Sequence, residues 1–584
     1  MFRRQMTKSC SLLGKACTIV IAIAAVVLGC RTTLAKGGDL ANMDPFGVAT
    51  GAPASAAYAR WMPWMSKAGV KWARLGVSWR GIEPQRGVWN FKTLDSMIQG
   101  GAANGMYLNG LLLYNAPWIN AKTHTFPMHH FGAWSNYVSK LVAHTRGKVD
   151  YYEVWNEPES FAAGGTAAQY GRLVRVSYDA ARKANPHVQI GLSVHCVDVV
   201  YMQEAIQAGA ANHFDFICVH PYEVLGMVQH GWEGDYMSIV PTIRRMLAVY
   251  DPAKVNVPIW ITEEGQRIGA YGATVTSQTR DIVKGYVMGI AEGFARIEWY
   301  QAMDGGSTGM GLLTRKGQPR PAYTALQTTT KFIGPIPAYQ GWVLLNHRDY
   351  GFIFKGPHGN VLFTWARPGK IDRVRFSHRV RIIDPATGLS DNLAAGRALR
   401  LTNAPMVAVG VSAKLVAQAQ HDKSQPFPWD GNYSHAARVS IRMGSPNRDR
   451  GLHQLKPDAT SVAVHIYGTT ARLCNNVRGH VRQNFEVDPN FISFRPHHVN
   501  ITVTARRNKS NTPAGFVVGY ESTTGLKHNS PGGWWTIPGN RRWYTHTFRL
   551  SDAEFVGLWA YNFDINSDGP NKGGYYVKKI IVTK

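Results

Sequence analysis

The chain of 584 residues is too long for one hydrophobic core, so two or three domains are expected. With 45% hydrophobic and 17% charged residues it falls outside the disordered and low-complexity classes. A formal charge of +27 points to anionic surroundings such as acidic polysaccharide, a membrane surface or nucleic acid, without choosing among them.

Arg3, Arg4, Lys8 and Lys15 precede an uncharged, mostly apolar run from Ala16 to Cys30. About 15 residues is short for a bilayer span of roughly 20 and suits the apolar core of an export signal. Two endings fit. Val27-Leu28-Gly29-Cys30 is like a lipobox that would lipidate Cys30, and Thr33-Leu34-Ala35 is like an ordinary cleavage site. Residues 1–35 are therefore read as a signal, and the protein as exported: secreted, periplasmic or held at the cell surface by a lipid anchor. Beyond the signal only Cys196, Cys218 and Cys474 remain. Their odd count and wide spacing give neither a disulfide framework nor a zinc pattern. They read as small buried hydrophobes, with a Cys196–Cys218 bridge as the alternative.

From about residue 44 to 335, short apolar runs alternate with amphipathic stretches. The runs are Phe46–Ala49, Lys71–Val77, Tyr107–Leu113, Tyr151–Trp155, Gln189–Ser193, Phe216–Val219, Ile259–Thr262 and Ile297–Tyr300. Helical stretches such as Phe131–His144, Ala167–Ala184 and Gln278–Glu292 lie between them. Eight strand–helix units in just under 300 residues suit a (β/α)8 TIM barrel, assigned to 36–335. A doubly wound sheet would want a glycine-rich phosphate turn, and Phe46-Gly47-Val48-Ala49-Thr50-Gly51 does not match one. After Gly334-Pro335 the helices stop. Trp342–Leu345, Gly351–Phe354, Val361–Trp365, Arg379–Ile383 and Met406–Val411 read as a small β-sandwich over 336–416. Residues 417–429 read as a polar linker. A jelly-roll-like all-β module follows over 430–584, with runs such as Val499–Ala505, Phe516–Tyr520 and Tyr575–Val582.

In a barrel, chemistry sits at the C-terminal ends of the strands. The fourth run ends Glu153-Val154-Trp155-Asn156-Glu157-Pro158 and the seventh Trp260-Ile261-Thr262-Glu263-Glu264-Gly265. Two carboxylates facing each other across the mouth are what retaining hydrolysis of a glycosidic bond requires, one protonated and one ionised. With Trp72-Ala73-Arg74-Leu75, Trp79-Arg80-Gly81-Ile82-Glu83-Pro84, Val219-His220-Pro221-Tyr222 and the closing Pro319-Arg320-Pro321-Ala322-Tyr323, the sequence resembles glycoside hydrolase clan A, the retaining (β/α)8 glycosidases. It is most similar to the family 39 type, the β-xylosidases and bacterial exopolysaccharide hydrolases. The resemblance implies Glu157 as acid/base and Glu263 as nucleophile. It also implies substrate-binding or supporting roles for Arg74, Asn156, His220, Tyr222 and Trp299, with Trp299 as the floor under the reacting sugar. No metal and no cofactor are implied. Strand alternation lets only one of Glu263 and Glu264 face the cleft, and the motif favours Glu263.

Weaker signals are given structural readings. His124, His129 and His130 are read as a cleft-wall loop, Glu83 as salt-bridged, and Asp564–Gly569 as a polar turn that lacks the closing glutamate of a calcium loop. The last module holds 21 Lys+Arg against 11 Asp+Glu over residues 421–584. With Trp534, Trp535, Trp543 and Trp559 it is a candidate carbohydrate-binding module for acidic glycans, or else a structural cover on the barrel. Dispersed basic residues on an exported chain argue against nucleic acid. The expected function is hydrolysis of β-glycosidic bonds in a polysaccharide or oligosaccharide. The alternatives are a family 5 type endo-β-glucanase or mannanase, and a non-catalytic polysaccharide-binding protein.

Overall fold

A computed structural model describes residues 44–51, 57–474, 479–492, 494–540, 542–557, 559–570 and 573–584. The expected signal and lipobox lie outside them. Residues 45–584 form one compact unit. No helix among the described residues is long and apolar enough to cross a membrane.

Eight parallel strands close into a barrel: β1 Phe46–Ala49, β2 Trp72–Ser78, β3 Tyr107–Leu113, β4 Tyr151–Val154, β5 Gln189–Ser193, β6 Phe216–Val219, β7 Ile259–Glu264 and β8 Arg296–Tyr300. Their apolar, β-branched runs suit strands buried on both faces. Helices such as Phe131–Thr145, Ala167–Ala184 and Val275–Glu292 cover the outside. The Ala167–Ala184 helix starts from a capping box between Thr166 and Gln169.

The interior fills in layers drawn from alternate strands. The lowest even-strand layer is Trp72, Tyr151, Phe216 and Arg296. The Arg296 guanidinium lies 3.2 Å from the Trp72 ring centre and 4.0 Å from that of Trp260, and closes the floor. Above it, Gly47 and Gly191 make room. A Cβ on Gly191 would stand 2.4 Å from the Phe216 ring, and one on Gly47 2.7 Å from the Glu298 side chain. The next even-strand layer is polar, with Arg74, Glu153, Cys218 and Glu298. A dry, packed base thus supports a charged layer just below the mouth.

β9 Ala338–Leu345, β10 Asp349–Gly356, β11 Gly359–Trp365, β12 Asp372–Arg375, β13 Val380–Ile383, β14 Ser390–Leu393, β15 Ala398–Leu401 and β16 Met406–Val409 form two antiparallel sheets of six and two strands. They enclose Val343, Ile353, Leu362, Ile382 and Leu401. The linker reading is corrected. Residues 413–422 form a helix, started by the Ser412 hydroxyl accepting from Leu415 N at 3.2 Å. It lies so close to β9 that a Cβ on Gly341 would meet the Ala419 carbonyl oxygen at 1.8 Å. Trp429, at the end of the same segment, is buried. It stacks on His453 at 3.8 Å and meets Trp232 edge-on at 5.0 Å. Apolar burial drives this segment into the body of the protein. The last module is an antiparallel sheet of 13 strands among the described residues, wrapped around Ile501, Phe516, Phe548, Phe563 and Ile580. Cys196, Cys218 and Cys474 are buried, and no disulfide joins the first two, so the alternative bridge is absent.

Candidate active site

Arg74 on β2 organises the mouth. Its Nε donates to Glu153 Oε2 at 2.6 Å, and its Nη2 to Glu153 Oε1 and to Asn156 Oδ1, each at 3.0 Å. Its Nη1 donates to Glu263 Oε1. Glu153, pointing inward from β4, also accepts from the Ser193 hydroxyl at 2.6 Å. Burial would raise the Glu153 carboxyl, but the charges of Arg74 and His220 hold it at about 2. It is a fixed anion that anchors the arginine. The sequence reading passes over Glu153, Ser193 and Thr262. The available signal was strand alternation, since residues two apart share a face.

The Trp155-Asn156-Glu157 turn explains how β4 delivers its carboxylate. Trp155 and Glu157 both have left-handed backbone, with φ of 66° and 41°, a conformation that side chains other than glycine adopt at a cost. Trp155 is held by burial against Tyr114, Phe126 and Trp134, and its Nε1 donates to the Phe161 carbonyl at 2.9 Å. With the indole pinned outward, Asn156 and Glu157 turn into the cleft.

Glu263 reaches the same cleft by a different device. Trp260 and Thr262 point into the barrel, so simple alternation would send Glu264 inward next. β7 instead carries one extra residue against β8 between Ile261 and Glu264. This bulge turns Glu263 inward beside Thr262 and sends Glu264 outward, where it accepts from the buried Tyr236 hydroxyl at 2.9 Å. Burial pushes the Glu264 carboxyl up to about 8. Tyr222 donates its hydroxyl to Glu263 Oε2 at 2.8 Å.

His220 is fully buried below Glu157. Its Nδ1 lies 2.8 Å from Glu157 Oε1 and its Nε2 3.1 Å from the Thr262 hydroxyl. Burial alone would lower the imidazole. The surrounding carboxylates, Glu263 first and then Glu153 and Glu157, outweigh it and raise it to about 10. Burial likewise works to raise Glu157, but the hydrogen bond and charge of His220 pull it below the usual range. Both shifts favour a proton on the imidazole beside an ionised Glu157 carboxylate.

The cleft, of about 500 Å³, is lined by Arg74, Tyr114, Asn156, Glu157, Glu263 and Tyr300, among others. The expected place of Trp299 is corrected. It is fully buried among apolar side chains on the outer face of β8 and does not line the cleft. Arg296, Glu298 and Tyr300 share the inner face, so Tyr300 presents the ring. Tyr114, just past the end of β3, is a further wall residue that the motifs do not reveal. Glu83, read as salt-bridged, instead accepts from Trp79 Nε1 at 2.8 Å and Gly87 N at 2.7 Å, holding the loop after β2. His124 packs on the Tyr114 ring at 4.1 Å, while His129 and His130 are exposed.

Glu157, His220 and Glu263 offer donor atoms within 4.8 Å of one another, the spacing of a metal set. Their chemistry disfavours a cation. Arg74 already occupies Glu263, and both ring nitrogens of His220 are committed to hydrogen bonds.

Residues 55–112 match a family described as beta-galactosidase, Glyco_hydro_42. Endo-1,4-beta-xylanase C of Phanerodontia chrysosporium is 29% identical over 133 residues, 21% of this chain and 33% of the xylanase. Endo-1,4-beta-xylanase A of the same organism is 28% identical over 133 residues, 21% of this chain and 32% of its own length. The chain therefore spans about a third of the length of these curated relatives. Among solved structures, a family 39 glycoside hydrolase from Bacteroides cellulosilyticus matches with a TM-score of 0.55 and 18% identity. That match covers 64% of this chain and 82% of the other. The barrel shares the fold of that hydrolase. In this fold the polar layer and the two carboxylates occupy the C-terminal mouth, where a TIM barrel carries its chemistry.

Proposed function

We propose that the protein is a retaining β-glycosidase acting on a β-linked polysaccharide, with Glu263 as nucleophile and Glu157 as acid and base. The observation that carries this reading is the meeting of Glu157 and Glu263 in one cleft, with an oxygen of each within 4.8 Å of the other. Retaining enzymes keep their carboxyl groups about 5–5.5 Å apart, and inverting ones leave room for a water at roughly 6.5–9.5 Å. Export of the chain, expected from its N-terminal sequence, would place the substrate outside the cytoplasm.

In the first step the Glu263 carboxylate, aimed by Arg74 and Tyr222, attacks the anomeric carbon. The glycosidic C–O bond breaks, and the leaving oxygen takes a proton from Glu157, which draws on the proton held at His220 Nδ1. In the second step Glu157 takes a proton from water, the water oxygen attacks the anomeric carbon, and Glu263 is released. Asn156, fixed by Arg74, is placed to bond the sugar hydroxyl next to the reacting carbon. NMR of the first-formed product tests the reading. Retained β configuration is expected, and an inverted α product overturns it.

The imidazole proton has its own test. While His220 holds a proton up to about pH 10, the acid supply persists into alkaline solution. His220→Asn keeps a hydrogen-bond donor near Glu157 but removes that reserve. Glu157 then loses its cationic neighbour and its carboxyl rises, yet it remains a carboxyl. The alkaline limb of kcat/KM should therefore fall by about two units or more towards the carboxylate range. An unmoved alkaline limb would show that His220 does not hold the working proton.

A further inference from the structure

A second cavity, of about 440 Å³, adjoins the active site on its β6–β7 side. Its barrel wall includes Tyr222, whose hydroxyl holds Glu263, together with Arg267 and Met310. Its opposite wall comes from the C-terminal module, through Lys456 and Trp559. We propose that this cavity is a subsite for a carboxylate-bearing sugar unit of the substrate, with Trp559 as the stacking platform and Lys456 and Arg267 as the anion-recognising groups. The proposal rests on the glycosidase reading and names the substrate class that it would take.

Of the four tryptophans that suggest glycan binding in this module, Trp559 is the one that lines the cavity. Trp535 is stacked on His546 at 4.9 Å, Trp543 lies under Lys578 at 5.0 Å, and Trp534 packs against Gly515 and Gly569. Trp559 is half-buried and meets His195 edge-on at 5.3 Å, which leaves ring surface for a ligand. His195 Nδ1 in turn lies 2.9 Å from the Ser160 hydroxyl, and Ser160 N donates to the Glu157 carbonyl at 2.9 Å. The platform is thus tied to the loop that carries the proposed acid.

The charge of the cavity fits an anion. Among the described residues neither Lys456 nor Arg267 has a carboxylate partner. Glu223 is the acidic residue of the lining, and its Oε1 is turned to His195 Nε2 at 4.0 Å. Lys456 sits at φ 43°, a left-handed position that is costly for any residue with a Cβ. An ammonium, a guanidinium and an aromatic ring lining one cavity offer a carboxylate-bearing pyranose both charge-assisted hydrogen bonds and a surface for its apolar face.

The test uses the full chain with sodium D-glucuronate as probe and D-glucose as neutral control, binding being followed by NMR titration. Glucuronate should bind roughly tenfold more tightly than glucose. Lys456→Gln should remove most of that preference, and Trp559→Ala should weaken both sugars, with Trp559→Phe restoring them in part. Equal binding of the two sugars, binding of neither, or a preference unchanged in Lys456→Gln overturns the subsite. Turnover of an aryl β-glycoside is measured on the same samples as a separate readout of the active site. Its absence from the parent protein would count against the glycosidase reading, and the glucuronate titration reports on the subsite independently.

Discussion

Replacing Glu263 by alanine is expected to lower turnover roughly 10⁴-fold or more, with substrate binding largely kept. The cause is local. The other carboxylates near the mouth are poorly placed to attack: Glu153 is bonded to Arg74 and Ser193, Glu264 points out to Tyr236, and Glu298, in the layer below, is raised to about 8 by burial. No neighbour can take over the attack. Azide should enter the space left by the side chain, beside Arg74 and Tyr222, and restore part of the turnover while yielding an α-glycosyl azide. A 2-fluoro glycoside should label Glu263 in the parent protein, read by peptide mapping. A label on Glu264, or an alanine variant with near-normal rate, would remove Glu263 from the mechanism.

Glu157→Gln should show a different signature. Substrates with poor leaving groups need the proton and are expected to slow roughly 10³-fold. Aryl glycosides with good leaving groups should form the covalent intermediate at a rate within about tenfold of the parent, because departure no longer needs protonation. Burst kinetics with an activated aryl glycoside, set beside steady-state hydrolysis of an oligosaccharide, separates the two. An equal loss on both would mean that Glu157 is holding the fold of the turn rather than supplying a proton.

The barrel was legible because parallel strands buried on both faces read as apolar runs. Runs such as Phe46–Ala49, Gln189–Ser193 and Phe216–Val219 coincide with β1, β5 and β6 to the residue. The residues gathered at the mouth were legible where a strand-end motif named them, as for Asn156, Glu157 and Glu263. Three features were hidden by physics that a motif does not carry. The bulge in β7 breaks the alternation: the motif favoured Glu263, which does face the cleft, whereas strict alternation from Trp260 and Thr262 would have turned Glu264 inward. Trp299 was taken for the sugar floor from the family resemblance. The inward set Arg296, Glu298 and Tyr300 shows that counting by twos along β8 would have chosen Tyr300. Residues 417–429 were read as linker on their polarity, with 413–416 left in the sandwich, although Ala413 to Asp422 is made of good helix formers behind a serine cap.

Trp429 and its neighbours also bear on how such a protein can be taken apart. Glu233, on a helix of the barrel, accepts from Lys284 Nζ and from Trp365 Nε1 of the β-sandwich, each at 2.9 Å. Trp429 Nε1 donates to Gly231 at 2.7 Å while its ring lies on His453 of the last module. The three parts are interlocked by buried aromatic rings and a buried ion pair, not strung on a flexible tether. Cutting the gene at the end of the barrel would leave a lysine–glutamate pair bereft of its indole cover and a tryptophan-sized hole beside Gly234. Recombination between relatives can therefore pass this architecture on only as a whole. A functional fragment should therefore retain all three parts.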